Sequence, residues 1–519
     1  MTNERIEYSE LDKRQKPLLV KTVKPKLISD IHQFEGHLSA FNNLNHICNR
    51  CYHRGNIILK MNWDTIFTTK RPGQQKEAAG PRSGFQRDFD RIIFSSAFRR
   101  LQNKTQVFPL PGSTFVHNRL THSLEVASVG RSLGSIVGEQ LSREMNDRSG
   151  DSYEFYRYEL SNVIAAGCLA HDIGNPAFGH SGEKAISAYF INNAQLEIEG
   201  TELRSFFSEK EWADISNFEG NANAVRILTH AFKGRLTAGL GLTYTTIASI
   251  IKYPCESVGI NKEFKHRKKY GFFQSEKEAI GAIADQLGLR REAGETIVYQ
   301  RHPFVYLVEA ADDICYSIID MEDAHRLGIL THDLVKDSFF HVIDCLDDNP
   351  NARLKTVDTY NKIEDLNEKI SYLRAKAINL LTIKAAEVFW NNRQQILEGT
   401  FNDTLLDHVE RSCGALKEVM EISADKIYNH DTVLEIEIAG YNVMSELLSL
   451  FIPALLKKSP DHKDKKVLKL FPPQFREFEQ TESAYEKVLN AFDLISGMTD
   501  LYATEMYRKL KGVDIPQHR

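Results

Sequence analysis

The sequence predicts a mainly α-helical fold, on three observations. Glycine and proline are sparse, 30 and 15 in 519 residues. Long stretches repeat apolar residues at three- and four-residue spacing, the period of a helix with one buried face. Few alternating patterns of the half-buried strand kind compete with them. In chain order the clearest helices are VASVGRSLGSIVGEQL (126–141), NVIAAGCLAHD (162–172), GYNVMSELLSLFIPALL (440–456) and SAYEKVLNAFDLISGMTDLYA (483–503). The second stops at Gly174-Asn175-Pro176, where proline cannot continue it. The expected architecture is one large helical unit with irregular insertions and a few short strands.

The bulk numbers narrow the function classes. With 42% hydrophobic residues the chain can bury a large core. A net charge of -5 with 26% charged residues argues against a globally basic nucleic-acid binder. No run of eighteen apolar residues occurs, so no membrane-spanning helix is expected. The start MTNERIEYSELDKRQ lacks the apolar stretch of a signal peptide. Most of the seven cysteines sit singly in apolar segments, as reduced core thiols do in a cytoplasmic protein.

Residues 1–60 lack a sustained amphipathic period and read as an appendage, an extension upstream of the dense helical pattern that follows Met61. They contain His46, Cys48, Cys51 and His53. A C-x2-C pair with nearby histidines can bind zinc, but structural zinc sites usually draw two ligands from a distant segment, so an ordinary loop is the stronger reading. Two further stretches read as loops: Cys255–Gly271, with the basic run KEFKHRKKYG, and Lys457–Lys466. A charge run is usually a solvated face.

The chemistry concentrates in NVIAAGCLAHDIGNPAFGHSGEKA (162–185), where an apolar helix delivers His171 and Asp172 to its end. Imidazole and carboxylate together suit a divalent transition ion. The dipeptide alone is weak, because His332-Asp333 and His430-Asp431 repeat it after Thr331 and Asn429, in settings that read as capped helix starts. Upstream, Arg119 and His122 stand three residues apart and so share a helix face. Downstream, Glu309, Asp312, Asp313, Tyr316, Asp320 and Asp323 fall within an arc of roughly 100° on one helix. No Lys or Arg interrupts that stripe. A solvated acidic face and a cation-binding face explain it equally well.

Taken together, these segments resemble the deoxyguanosinetriphosphate triphosphohydrolases (dGTPases) of the HD superfamily. The resemblance rests on RRLQNKTQVFPLPGSTFVHNRLTHSLEV, CLAHDIGNPAFGHSGEKAI, NFEGNANAVRILT, LTYTTIASIIKYP, YLVEAADDICYSIIDMEDA and ISGMTDLYA, in the family's order. It spans 61–519 and leaves 1–60 as an N-terminal extension. It implies an HD helical bundle core, approximately 85–335, and a helical C-terminal part, 336–519. It further implies one divalent metal per subunit, Mg, Mn or another transition metal, held by His122, His171, Asp172 and Asp312. Asp312 is preferred over Asp313 because the family places Tyr and Asp four and eight residues beyond the ligand, here Tyr316 and Asp320. The resemblance sets Tyr316 against the sugar, where a 2′-hydroxyl would not fit, and Asp320 and Gln106 at the 3′-hydroxyl. Arg119 resembles a triphosphate contact, as do Lys252 and Lys269. His180 and Glu183 match the family's catalytic pair. Residues near Glu437 and Gly440-Tyr441 are expected by the base, and Lys487 is the nearest cation where the family has a phosphate-binding arginine. The implied activity is metal-dependent hydrolysis of dGTP or other dNTPs to deoxynucleoside and tripolyphosphate, in a cytoplasmic homo-oligomer, plausibly a hexamer, with single-stranded DNA as an effector. Another HD phosphohydrolase, a nucleotidase or phosphodiesterase, or a nucleotide-sensing single-stranded DNA binder are the alternatives.

Overall fold

The structure, a computed structural model, describes residues 61–73, 80–108, 116–235, 238–349 and 351–514. The expected appendage and its His46–His53 zinc candidate lie outside the described residues. The helices that position the site are α1 (Arg119–Glu144), α2 (Leu160–Ala170), α3 (Gly179–Asn192), α4 (Gly220–Thr229), α5 (Val305–Arg326), α6 (Leu366–Asn391), α7 (Asp431–Leu456), α8 (Ala484–Ser496) and α9 (Asp500–Leu510). Two short strands, β1 (Glu197–Ile198) and β2 (Thr201–Glu202), pair antiparallel. Their turn, Glu199-Gly200, takes φ of 50° and 79°, the left-handed pair that a two-residue hairpin of this twist requires.

The tightest packing joins α1 to α2, and the sequence of α1 explains it. Gly130, Gly134 and Gly138 recur every four residues and so share one face. A Cβ at Gly130 would lie 2.4 Å from Cys168 Sγ, one at Gly134 2.8 Å from Ser161 Cα, and one at Gly138 2.2 Å from the Tyr156 carbonyl oxygen. Removing side chains from this face lets the two backbones nearly touch. Val126, Leu133, Val137 and Leu141 of α1 are fully buried beside it, as are Leu160, Val163, Ile164 and Leu169 of α2. α5 packs against α1 and α6, and its Leu307, Ala311, Ile314 and Ile318 are fully buried.

A second apolar cluster gathers α3, α7 and α8. α7 is long and apolar enough to cross a membrane by length and composition, a property that no unbroken apolar run had signalled. Here Met444, Leu447, Leu448, Phe451 and Ile452 are instead fully buried in this cluster, against α3 and α8. At its edge Arg226 of α4 is buried with two acids. Its Nε and Nη2 each donate to Asp493 of α8 at 2.8 Å, and its Nη1 donates to Glu276 at 2.9 Å. Burial alone would lower Arg226, but Asp493 and Glu276 raise it well above its ordinary range.

The four expected helices form, with revised limits. The 440–456 helix begins earlier, at Asp431, and the 483–503 stretch breaks at Gly497 because Thr499 caps a new helix, α9. Lys457–Lys466 is not a loop throughout. Asp461 accepts a hydrogen bond from the Asp464 N–H and starts a helix at His462. Cys255–Gly271 is irregular, as expected, with two short 3-10 turns. Thr331 caps the helix that carries His332-Asp333, whereas at the third His-Asp pair the cap is His430 itself, not Asn429. Cys168, Cys255 and Cys315 are buried thiols. Cys345 and Cys413 stand side by side at two helix ends, with their Cα atoms 5.8 Å apart.

Two stability outcomes follow from this packing. An alanine at Gly134 or Gly138 would ordinarily favour a helix, yet here overpacking should cost about 1–3 kcal/mol and lower the thermal midpoint. Arg226→Met should cost about 3–5 kcal/mol, because it leaves two buried carboxylates unpaired. Replacing Glu276 and Asp493 by leucine in the same chain should recover most of that loss in thermal melts.

Candidate metal centre and cleft

Three segments far apart in sequence each deliver a side chain to one point. The Asn118 side chain accepts hydrogen bonds from the Leu120 and Thr121 N–H groups and starts α1, so that Arg119 and His122 lie on its first turn. α2 is apolar from Val163 onward and ends with His171 as its cap and Asp172 just beyond. α5 presents Asp312 two turns from its start. His122 Nε2 lies 3.1 Å from Asp312 Oδ1, and His171 Nε2 lies 3.4 Å from the same oxygen. The ligand-type atoms of His122, His171 and Asp312 all fall within 4.8 Å of one another. Asp172 adjoins them, with Oδ1 3.6 Å from His171 Nε2. Its other oxygen accepts from Arg119 Nη1 at 2.7 Å, and Asn175 Nδ2 donates to Oδ1.

The chemistry of this donor set fits a cation. His171 Nδ1 is 2.6 Å from the Cys168 carbonyl oxygen, which fixes the ring proton on Nδ1 and leaves the Nε2 lone pair facing the cluster. That Nε2 is buried and has no hydrogen-bond partner. Burial by itself would lower His171, yet Asp172 and Asp312 raise it to about 9. Burial would likewise raise Asp312, yet His171 and His122 hold it far below the carboxylate range. Both shifts express one demand for positive charge at this point. Two imidazole nitrogens flanked by carboxylate oxygens meet that demand with a divalent transition ion.

The cluster floors a cleft of about 390 Å³. Gln106, Arg119, His180, Glu183, Lys252, Lys269 and Tyr316 all line it, so these expected substrate-facing and catalytic residues share one cavity. Gln106 Oε1 and Arg119 Nε are buried there without partners. Asp320 is not on the wall. It lies behind Tyr428, whose Oη donates to Asp320 Oδ2 at 2.8 Å, and burial pushes its carboxyl up to about 7. The Tyr428 ring stacks on Tyr316 with centroids 5.5 Å apart.

The acidic stripe of α5 lacks cations of its own, but the fold brings them from elsewhere. Glu309 accepts from Arg301 at 2.9 Å and lies 3.2 Å from Lys252 Nζ. Asp323 takes the backbone N–H of His117 at 2.8 Å and its ring at 2.9 Å. Asp313 lies on the cleft wall, where burial raises it to about 7 against the pull of Lys252. Of the basic run, Lys265 pairs with Asp407, and His266 and Arg267 pair with Glu292. Lys269 reaches the cleft and lies 2.9 Å from Glu219.

His180 and Glu183 sit one turn apart at the start of α3, with Nε2 and Oε2 4.0 Å apart. Glu183 is buried, and its Oε1 accepts the Gly220 N–H at 2.7 Å. Burial raises its pKa. The His180 ring is 75% exposed to the cleft solvent, yet protein walls surround it, and this crowding, with Lys269 and Arg119 nearby, lowers its pKa from 6.5. Glu437 also lines the cleft. Gly440 lies just beyond, where a Cβ would be 2.4 Å from the Phe178 ring, and Tyr441 is 36% exposed. Lys487 is not brought to the cleft; its nearest acid is Glu482, at 3.9 Å. Reading the sequence had missed Tyr428, Asn175 and Arg301. Tyr428 follows a π-helical turn at Ser423–Ile427 and carries no local signal of its place. Glu219, within the block NFEGNANAVRILT, likewise carries no local signal of its place on the cleft wall.

Comparison with known proteins identifies the family. Residues 119–247 match the HD domain family, and residues 404–509 match the phosphohydrolase-associated domain family. A deoxyguanosinetriphosphate triphosphohydrolase-like protein of Synechocystis sp. is 38% identical over 463 residues, covering 88% of this chain and 100% of that protein. A protein of the same name from Pseudomonas aeruginosa is 37% identical over 471 residues, again covering 88% of this chain and 100% of its own length. The deoxyguanosinetriphosphate triphosphohydrolase of Salmonella paratyphi A is 32% identical over 494 residues, covering 83% of this chain and 94% of that enzyme. Identity at this level over whole relatives establishes kinship: the chain is a phosphohydrolase belonging to the deoxyguanosinetriphosphate triphosphohydrolase family of the HD superfamily.

Proposed function

We propose that this chain hydrolyses deoxynucleoside triphosphates, dGTP foremost, at the α-phosphorus, releasing the deoxynucleoside and intact tripolyphosphate. The observation that carries the reading is the placing of an aromatic wall, Tyr316 on Tyr428, one helical turn from Asp312 and in the same cleft as Arg119, Lys252 and Lys269. A sugar against the tyrosines leaves the phosphates facing the cations. A ring packed close to C2′ leaves no room for a ribose hydroxyl, which is the basis proposed for choosing deoxynucleotides.

His122, His171, Asp172 and Asp312 would hold one divalent ion, Mg, Mn or another transition metal, whose bound form supplies Lewis acidity to a phosphate oxygen and acidifies water. The remaining work falls to the chain. Arg119, Lys252 and Lys269 neutralise the triphosphate, the first through its planar fork. Each already has an acidic neighbour, so the phosphates join existing pairs and meet cations held in place beforehand. Gln106, with its amide oxygen unpartnered, is free to take a sugar hydroxyl. His180 Nε2 accepts the proton of the attacking water, with Glu183 anchored beneath it by Gly220. The bond from phosphorus to the nucleoside 5′-oxygen breaks, and tripolyphosphate leaves whole. The same reading places the chain in a cytoplasmic homo-oligomer with single-stranded DNA as an effector.

Product analysis across the four dNTPs and GTP tests this. The expected products are deoxynucleoside and tripolyphosphate, with GTP turned over at least about a hundredfold more slowly than dGTP. Pyrophosphate with a nucleoside monophosphate would refute the assignment, and Tyr316→Ala should narrow the gap between GTP and dGTP. A second outcome concerns His180. His180→Ala should lower kcat by about 10²–10⁴-fold while leaving bound metal unchanged. Because the neutral ring is the acceptor and its pKa is depressed, kcat/KM should rise with pH through a midpoint below 6.5, and this acid limb should vanish in the variant.

A further inference from the structure

The segment ISGMTDLYA is not explained by the cleft, yet one of its residues reaches the catalytic arm. Asp500, the first residue of α9, is buried at 8% exposure. Its carboxylate accepts two backbone N–H groups from segments more than 300 residues earlier in the chain. Phe178 donates to Oδ1 at 2.9 Å, and Thr105 donates to Oδ2 at 2.8 Å. Both donors adjoin residues of the cleft. Thr105 precedes Gln106, and Phe178 closes the turn that leads into His180.

That turn needs an outside hold. Phe178 and Gly179 take φ of 61° and 54°, two left-handed residues in succession, and the first is not glycine. The second is glycine, which takes this φ without strain, and a Cβ there would also displace the end of the Arg119 side chain, 2.5 Å away. The Phe178 ring packs on the bare backbone of Gly440. Lys104, fully buried, donates from Nζ to the carbonyls of Asn175 and Ser496, and so ties the same turn to the end of α8. Asp500 is the group that fixes the turn's own backbone N–H and the Thr105-Gln106 segment together.

We infer that Asp500 is a positioning residue: it holds Phe178–Gly179 in the left-handed turn that sets α3, and with it His180 and Glu183, against the metal cluster. The inference rests on the role given to His180 under the proposed function. Asp500→Asn and Asp500→Ala in the full chain test it, with Thr499→Ala as a control that removes the α9 cap without touching the turn. Both Asp500 variants should lower kcat by about tenfold or more, with KM changed by less than about threefold. Bound divalent metal should stay as in the wild type, and the Phe178 and Thr105 amides should exchange with solvent at least about tenfold faster. Thr499→Ala should do none of these. Where Asp500→Ala fails to fold, Asp500→Asn, nearly isosteric, decides. A kcat within about twofold of wild type, a fall in kcat with the Phe178 amide still protected, or a parallel loss of bound metal would each overturn the inference. If the wild type hydrolyses nucleotides to other products, the proposed function fails instead, while kcat for the reaction it does run and amide exchange still judge Asp500.

Discussion

The centre depends on how closely α1 can approach α2. Each helix carries part of the donor set at one end, His122 on the first and His171 on the second, and the rings meet with centroids 5.5 Å apart. A pair of helices separated by ordinary side chains stands 8–10 Å apart at the axes. The three glycines of α1 remove that spacer where the backbones cross, and the terminal histidines converge as a result. α5 then needs only to lay Asp312 across the gap, which its contact with α1 allows. The apolar core is thus the gauge that sets the distances in the polar site.

Charge balance is the second constraint, and the fold solves it by pairing across segments. The acids of α5 would repel one another in a low-dielectric interior if left together. Arg301 and Lys252 answer Glu309, His117 answers Asp323, and the two centre histidines answer Asp312. His117 is raised to about 10 by Asp323 and Glu125 against the effect of burial, so it stays protonated across the physiological range. The cation it supplies sits just before the Asn118 cap, which fixes the start of α1 relative to α5. The same interaction that satisfies an acid therefore also aligns two donor-bearing helices.

The sequence was informative where chemistry is local. The apolar run ending in His171-Asp172, the Arg119–His122 spacing and the period of the α5 stripe can all be read from neighbours a few residues apart. Gly130, Gly134 and Gly138 share a four-residue spacing, but that spacing alone does not name the helix they admit. Other features were out of reach because their partners lie hundreds of residues away. Nothing beside Tyr428 marks it as the lid over Asp320, and nothing beside Asp500 marks it as an acceptor for Thr105 and Phe178. The break of the 483–503 helix was legible in Gly497 and Thr499, yet uninterrupted apolar spacing outweighed them. The charge of 457–466 predicts a loop, but the capping chemistry of Asp461 starts a helix within it.

The Asp500 contacts bear on how such a chain can be divided. The stretch matched to the HD domain ends at residue 247, but Asp312 and the acceptor that holds the Phe178 turn both lie beyond it. The residues shared with known HD proteins therefore do not form a cassette that recombination could lift out and graft elsewhere with its chemistry intact. Cut off at residue 247, the stretch would keep His122, His171 and Asp172 but lose the carboxylate of Asp312 and the acceptor of the Phe178 N–H.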